Sequence, residues 1–365
     1  MRIDALELTN FRNFASATLH PGPGVNIFYG ENGSGKTSLL EAIFTLCLGK
    51  SQRGARDEMM VHSGGNDIFR LEGKGEVEGR EINLACAYQK GGRKKITVDD
   101  NPVRLSHLYQ LLSIISMAPD DVTLFSGSPG GRRRFLDLHL SQASPSYLAD
   151  LTDYERALAQ KNAFLKNDSA GECPFDPLLV QGGGRIMSAR IAFIGFLKDL
   201  APVYYHQIST GCMEDEAFAL SFDYDPNVPF DTKEEITAHF EMKLAAERRR
   251  EAAMQTAVVG PHRDDIDFRI GPFPAKGYGS QGELRSAAAA VMMAAAAFLE
   301  NRRKEKPILL LDEIFAELDE QRRDNMAGLF EHFQQIFLTT ALEPPEVLVS
   351  RASVFRIKAG QVEPK

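Results

Sequence analysis

Apolar runs short enough for strands alternate along this chain with longer stretches in which apolar positions recur every three to four residues. Val25–Tyr29 is a short, mostly apolar run and reads as a strand; "TSLLEAIFTLCLG", from Thr37, reads as the helix that leaves it. Beyond Lys74, "GEVEGREINLACAYQKGGRKKITVDDNPV" alternates with a period of two, and Gly91-Gly92 marks a hairpin turn. From Ser144 the period lengthens. "SPSYLADLTDYERALAQKNAFLK" opens with Ser then Pro, a helix start, and sets Leu148, Leu151, Leu158 and Leu165 along one face. "NDSAGECPFDP" reads as a loop, and Arg185–Ser209 as a second long apolar helical region. "DTKEEITAHFEMKLAAERRREAAM" is a third, with Asp231 and Glu234 as a capping pair and Ile236, Phe240 and Leu244 at four-residue spacing. The longest apolar run, Ala287–Leu299, is 13 residues and mostly alanine, which predicts a packed helix, since a membrane span needs about 20. Ile308–Leu311 is uninterrupted Ile and Leu, the signature of a central parallel strand buried on both faces, and "QIFLTT" reads as another strand.

Chemistry sits at the ends of two of these strands. Gly30–Thr37, "GENGSGKT", has the form G-x-x-x-x-G-K-[ST] between strand and helix. Gly30, Gly33 and Gly35 let backbone N–H groups turn inward as an anion nest at a helix N-terminus, with Glu31, Asn32, Ser34 and Ser38 completing the loop. Lys36 is placed to reach the β- and γ-phosphates of a nucleoside triphosphate, and Thr37 to put its hydroxyl on Mg²⁺. Asp312, ending the Ile308–Leu311 run, would hold the same Mg²⁺ directly or through water; Glu313 beside it would orient the attacking water. A further anion-receptive helix start lies at "GYGSQGELRSAAAAVMMAAAAFL", through Ser280 and Gly282. Two such ends are redundant if each chain fills its own site. They make sense if the second closes over a γ-phosphate held by another copy.

About 270 residues separate the two halves of one nucleotide site, so a single α/β head is built from both chain ends, residues 1–125 and 258–365, with a mainly helical lobe, 126–257, inserted. The turns within the insert predict a compact lobe and not a coiled-coil tether.

Composition adds limits. No basic segment followed by an apolar one opens the chain, and Cys47, Cys86, Cys173 and Cys212 share no C-x-x-C spacing, which fits a reducing cytoplasm. The formal net charge of −8 argues weakly against nucleic acid, although phosphate binding depends on local patches. Three basic clusters qualify: Arg132-Arg133-Arg134, Arg93-Lys94-Lys95 on the hairpin, and Arg248–Arg250. Aromatic residues do not interleave them and Trp is absent, so for a nucleic acid, contact with a duplex phosphate backbone is a better expectation than base stacking.

"GENGSGKT", "GSQGE", "ILLLDE" and the following "ELD" look like the Walker A, signature, Walker B and D-loop of the ABC-type ATPase superfamily. With "LELTNFRNF" at the start, "SPGGRRRFLD" at Ser128–Asp137 and "GPHRDD" at Gly260–Asp265, the whole chain resembles the RecF family of bacterial recombination mediators. The resemblance implies an ATP-dependent homodimer that binds duplex DNA beside single-stranded gaps and, with RecO and RecR, helps to load RecA. It also implies Asp319 for the dimer seam, Ser280 and Gly282 for the partner's γ-phosphate, and Arg12 of "FRN" for nucleotide. The chain departs from the pattern in three places. Glu283 stands where the family has Gln, Thr339 and Thr340 stand where a switch histidine is looked for, and "MAPDDV" stands where a metal-contacting Gln is looked for. Slow hydrolysis follows. A transporter's ATPase subunit is the runner-up, disfavoured by the interrupted head and the missing histidine; a non-hydrolysing ATP-binding scaffold is disfavoured by Glu313. His262 reads as structural.

Overall fold

A computed structural model of the chain describes residues 1–167, 172–209, 220–225, 232–341 and 352–364. Cys212, Asp231 and part of the "NDSAGECPFDP" loop lie outside these residues. The chain divides into two compact units. One holds Met1–Asp121, Gln207–Cys212 and Ala288–Lys365, and the other Val122–His206 and Met213–Ala287. The head is thus made from both chain ends. Its second segment, however, starts at Ala288 and not at residue 258, so "GPHRDD" and the Ser280–Gly282 turn belong to the inserted unit.

Two six-stranded sheets build the first unit. In one, the order is Gln361–Pro364, Ala352–Lys358, Gly24–Tyr29, Gln335–Thr340, Ile308–Asp312, Ile114–Met117, parallel throughout except for the C-terminal hairpin. Ile308–Asp312 lies between neighbours on both sides and every residue in it is buried, which is why it is written without polar alternation. Phe28 stacks on Phe337 at 6.1 Å and packs tilted against Phe355 at 5.3 Å, carrying the apolar layer across three adjacent strands. The second sheet is antiparallel, in the order Phe14–Leu19, Arg2–Phe11, Ile68–Val77, Arg80–Gln89, Lys95–Val98, Asn101–Pro102. Ile68–Val77 buries alternate residues, the period-two pattern of a sheet with one covered face, and Gly91 turns the hairpin at a φ of 75°. Buried Gln335 joins the sheets: its amide donates to the Ile3 carbonyl and accepts from the Ile3 N–H, each at 2.8 Å.

The second unit is mainly helical, with a three-stranded antiparallel sheet in which Asp265–Ile270 is central between Phe273–Pro274 and Leu220–Asp225. Three readings of the sequence shift here. The long helix begins at Asp176, nine residues ahead of Arg185, and passes through Gly182-Gly183-Gly184. A Cβ at Gly183 would strike the Phe240 ring and one at Gly184 the Thr237 side chain, so this glycine pair admits the Lys233–Ala246 helix to close contact. That helix is capped by Thr232 and Glu235, each side chain bonded to the other's backbone, one residue on from the Asp231–Glu234 pair the sequence suggests. Ile236, Phe240 and Leu244 are buried as their spacing requires. On the Pro145–Lys166 helix the buried face runs through Tyr147, Tyr154, Ala157, Lys161 and Leu165, while Leu148, Leu151 and Leu158 flank it half-buried.

The Ala-rich run lies in the helix Gln281–Arg303, and 78% of its most apolar stretch is buried inside the protein. Burial also pushes the Cys47 and Cys86 thiols up to about 12, which leaves them unreactive.

Candidate nucleotide site

The loop after Gly24–Tyr29 is held from both ends of the chain. Gly30 packs so tightly that a Cβ there would collide with the Ile357 carbonyl of the C-terminal hairpin, so only glycine fits. The Gly360 N–H donates to the Ser34 carbonyl at 3.2 Å, and the Gly30 N–H to Thr340 at 3.3 Å. On the opposite side Asn13 donates from its amide to the Gly33 carbonyl at 3.2 Å and accepts from the Ser38 hydroxyl at 3.3 Å. Gly35, at φ 117°, starts the helix Lys36–Leu48 with no side-chain cap, which leaves the first-turn N–H groups for an anion. Glu31, Asn32 and Gly33 are exposed at the top of the loop. The Ser34 hydroxyl is buried in it without a protein partner. Lys36 is 3% exposed, and its ammonium donates to the carbonyls of Gly30 at 2.8 Å and Glu31 at 3.0 Å.

The acidic pair meets this loop across the sheet. The Gln335–Thr340 strand lies between the loop's strand and Ile308–Asp312, and its Thr339 bridges the two carboxylate residues. The Thr339 hydroxyl donates to Asp312 Oδ1 at 2.7 Å and accepts from the Glu313 N–H at 2.9 Å. Thr37 donates to the same Asp312 oxygen at 3.0 Å, and Arg53 stands 3.9 Å from the other. Burial pushes the Asp312 carboxyl above its ordinary range, against the opposing pull of the Thr339 and Thr37 hydrogen bonds and the Arg53 charge. Glu313 sits at φ 51°, a left-handed conformation for a side chain, and its carboxylate pairs with Lys36 at 3.1 Å.

These residues fit Mg²⁺. One hydroxyl and one carboxylate converge at the loop, and among the described residues no group of three or more His, Cys, Asp or Glu could hold a metal by itself. Such a pair suits an ion that takes its remaining ligands from phosphate and water.

Thr339, which the sequence marks only as standing where a switch histidine is looked for, is therefore a positioning residue. Thr339→Val keeps the shape and leaves the Glu313 N–H unpaired. The expected cost is about 1–3 kcal/mol of stability, with turnover lost beyond what destabilisation explains. Thermal melts and turnover measured on the same preparations check this; wild-type turnover in the variant would refute it.

Arg12, for which the resemblance implies a nucleotide contact, makes two parallel bonds to Glu41, at 2.8 and 2.9 Å, and one to the Met59 carbonyl at 2.7 Å. Glu41 is buried in the loop's own helix and also accepts from the Ser51 hydroxyl. Ser51 in turn accepts at its hydroxyl from the Arg53 N–H at 3.1 Å. "FRN" thus shapes the loop through Asn13, and Arg12 fixes the turn that presents Arg53 to Asp312. Nothing in the spacing of "SQRGARD" marks Arg53 beforehand.

In the second unit, Ser280 and Glu283 form a reciprocal capping box at the start of the Ala-rich helix. The Glu283 carboxylate accepts from the Ser280 N–H at 2.8 Å, and Ser280 accepts from the Glu283 N–H at 3.3 Å. The departure from Gln therefore has a local use, and Ser280 and Gln281 remain exposed. Asp319 caps Glu320–Gly328, accepting from the Arg322 N–H at 2.9 Å.

The basic clusters fare unequally. Arg132 is 7% exposed, chelates Asp265 at 2.5 and 2.8 Å, and donates to the Leu124 and Gly127 carbonyls. It is an internal brace, which corrects its reading as a DNA contact. Arg133 donates to the Asp264 carbonyl at 2.7 Å, and Lys94 pairs with Asp57 at 2.5 Å. Arg93, Lys95 and Arg134 are exposed. Arg248 pairs with Glu172 at 3.0 Å and Arg250 with Glu247 at 3.5 Å.

His262 accepts from the Tyr154 hydroxyl at 2.7 Å through Nδ1 and donates from Nε2 to the Ala257 carbonyl at 3.2 Å, as a neutral ring must. Burial lowers its pKa from 6.5 to about 4. Between those values the unfolded chain binds a proton that the folded chain refuses. Stability should therefore fall as pH drops from about 6.5 to 4, by at most about 3 kcal/mol. His262→Gln can keep both bonds without titrating, so denaturant melts across this window should flatten; an unchanged slope would refute the assignment.

A parallel sheet that sets a phosphate loop beside a Thr-clamped Asp-Glu strand end, with an inserted helical unit, defines an ABC-type ATPase head. The chain matches the family model of the RecF/RecN/SMC N-terminal domain over residues 2–360. It is 33% identical, over 99% of both chains, to the DNA replication and repair protein RecF of Geobacillus kaustophilus. Its structure matches that of the recombination mediator protein RecF-ATP in the RecFOR pathway with a TM-score of 0.87 at 27% identity, covering 100% of this chain and 97% of that one. An SMC head bound to the C-winged helix domain of ScpA matches at 0.58 and 15% identity, over 100% and 98% of the two chains, a likeness of fold alone. The chain belongs to the RecF family.

Proposed function

We propose that this protein is an ATP-switched DNA-binding mediator of recombinational repair and replication restart. It dimerises on ATP, binds duplex and gapped DNA, and acts in the cytoplasm with RecO and RecR to load RecA. The observation that carries the reading is the convergence of Lys36, Thr37, Asp312 and Glu313 on one loop. A relative named for DNA replication and repair and a matching structure named for its ATP support it. Lys36 and Glu313 neutralise one another across 3.1 Å. A γ-phosphate competes for that ammonium, and its arrival frees the carboxylate to orient water. Thr37 and Asp312 would hold Mg²⁺, which when bound would supply charge stabilisation to the transferring phosphoryl group. The product that matters is the conformational state, so turnover is slow.

Ser280 and Gly282, at an exposed helix start in the inserted unit, close over the nucleotide of a second copy, and Asp319 lies at that seam. Arg93, Lys95 and Arg134 are the remaining candidates for phosphate-backbone contact. ATP turnover measured with and without gapped duplex tests the reading: stimulation by DNA is expected, and the absence of any turnover would favour an ATP-binding scaffold.

A further inference from the structure

Phe273 and Tyr278, in the second unit, are 56% and 70% exposed, and among the described residues no other Phe or Tyr side chain is exposed. Single exposed apolar residues are ordinary, but these two are paired. Their rings stack with centroids 5.5 Å apart and planes 17° from parallel, which leaves a flat aromatic plate open to solvent. Phe273 opens the short strand Phe273–Pro274, which pairs with Asp265–Ile270 after a turn at Gly271, φ 58°. The chain turns again through Gly277, at φ 87°, and brings Tyr278 back onto Phe273. The Gly279 N–H donates to the Ala275 carbonyl at 3.2 Å, and a Cβ at Gly279 would meet the Leu284 side chain. The turn is thus packed against the start of the Gln281–Arg303 helix. This ties the plate to Ser280, since two peptide units separate Tyr278 from it, at most about 7.6 Å between Cα atoms.

The nucleotide loop has the opposite lack. Its exposed neighbours Asn13, Glu31, Asn32 and Arg53 are polar. Among the described residues of the first unit, the large exposed apolar side chains are Met59, Ile68 and Leu105, none of them aromatic. A triphosphate on that loop has its phosphates provided for, while its base has no open ring from its own head to stack on.

We propose that the Phe273–Tyr278 plate stacks on the base of the nucleotide held by a second copy, resting on the reading that Ser280 closes over that copy's phosphates. The helix start then meets one end of the nucleotide and the plate the other. Lys276, Ser280 and Gln281, exposed around the plate, are polar, which suits a nucleotide better than an apolar protein face. Because the plate reaches the base only across the seam, stacking strengthens the closed dimer and adds nothing to nucleotide binding by one chain alone. Every base has a π-face, so the plate responds to the presence of a base rather than to its identity.

The test uses the full-length protein with the triphosphate of 2-aminopurine riboside, whose fluorescence falls when the base stacks on an aromatic ring, and follows dimerisation of the same samples by sedimentation. In the wild type, quenching should rise with the dimer as protein concentration is raised. Phe273→Ala/Tyr278→Ala, two changes at exposed positions, should leave nucleotide affinity at low protein concentration unchanged. It should need about tenfold or more protein to dimerise, and its dimers should lack the added quenching. Tyr278→Phe should keep both. Ser280→Arg separates the proposal from the reading beneath it. If Ser280→Arg dimerises and quenches like the wild type, Ser280 does not close over the partner's nucleotide, and both fall. If Ser280→Arg fails to close while the double variant dimerises and quenches like the wild type, the reading stands and the plate's role is overturned. Poor dimerisation of the double variant with full quenching in its dimers would also overturn it, making the plate a contact with the partner's protein surface. So would normal dimerisation and quenching with lost affinity for single-stranded DNA, which would make the plate a stacking site for DNA bases.

Discussion

Glu313→Gln should lower ATP turnover by about a hundredfold or more while leaving ATP bound. Glutamine keeps the side chain's shape and the Thr339 bond to the residue 313 N–H, so the loop and the Asp312 metal position stay as they are. What is lost is the carboxylate proposed to orient the attacking water, and with it the charge that holds Lys36 at 3.1 Å. Lys36 is then left to the phosphates without a competitor, so nucleotide affinity should hold or rise. If ATP closes a dimer that hydrolysis reopens, as proposed above, the variant should accumulate as the ATP-closed form in sedimentation. A Glu313→Gln protein that binds ATP yet stays monomeric would contradict the account. Turnover within a few-fold of wild type would remove Glu313 from the chemistry altogether.

Mixing two dead variants should restore activity. Lys36→Ala removes the lysine proposed to hold the phosphates in a chain's own loop, and Ser280→Arg puts bulk and charge at the helix start proposed to close over the other chain's nucleotide. Alone, each homodimer carries two damaged sites. In an equal mixture exchanging freely, about half the dimers are mixed by two-fold symmetry, and in each of these both lesions fall in the same composite site. The opposite site then has an intact Lys36 and an intact Ser280. If sites fire independently, activity should return to about one quarter of wild type. No recovery, with mixed dimers shown to form, would mean that Ser280 acts within its own chain or that both sites must fire together. A double variant mixed with wild type separates these, since its mixed dimers are dead if Ser280 acts across the seam and half active if it acts within one chain.

The meeting of the two strand ends was legible in the sequence because it depends on contiguous residues. Gly30–Thr37 and Ile308–Glu313 each carry their pattern in one run, and the structure brings Thr37 to Asp312 as those runs require. What supports them was not legible, because it comes from distant segments. Thr339 bridges to Asp312 and Glu313 from a neighbouring strand, Asn13 holds Gly33 from the first hairpin, and Gly360 reaches Ser34 from the far end of the chain. The inserted unit misled pattern reading for another reason. Its interior is built on paired charges: Lys161, 1% exposed, lies between Asp176 and Glu251 at 2.9 and 2.6 Å, and Arg190 between Asp137 and Asp264. Removing one partner of such a pair strands a buried charge, at about 3–5 kcal/mol. Hydrophobic spacing therefore pointed to Leu148, Leu151 and Leu158, when the buried face of that helix is set by Tyr147, Tyr154 and Lys161. Arg132 was misread likewise, since a basic run looks the same whether its members face solvent or brace the interior against Asp265.

By closing two heads, ATP would combine basic patches that a single acidic chain presents too sparsely to hold DNA. The affinity of the wild-type protein for a gapped duplex, measured with ATP and with ADP at matched ionic strength and with Mg²⁺ present, tests this. Affinity should be markedly higher with ATP and should fall steeply as salt rises, because more phosphates are contacted at once. Equal affinity with the two nucleotides, at every salt concentration tried, would contradict it.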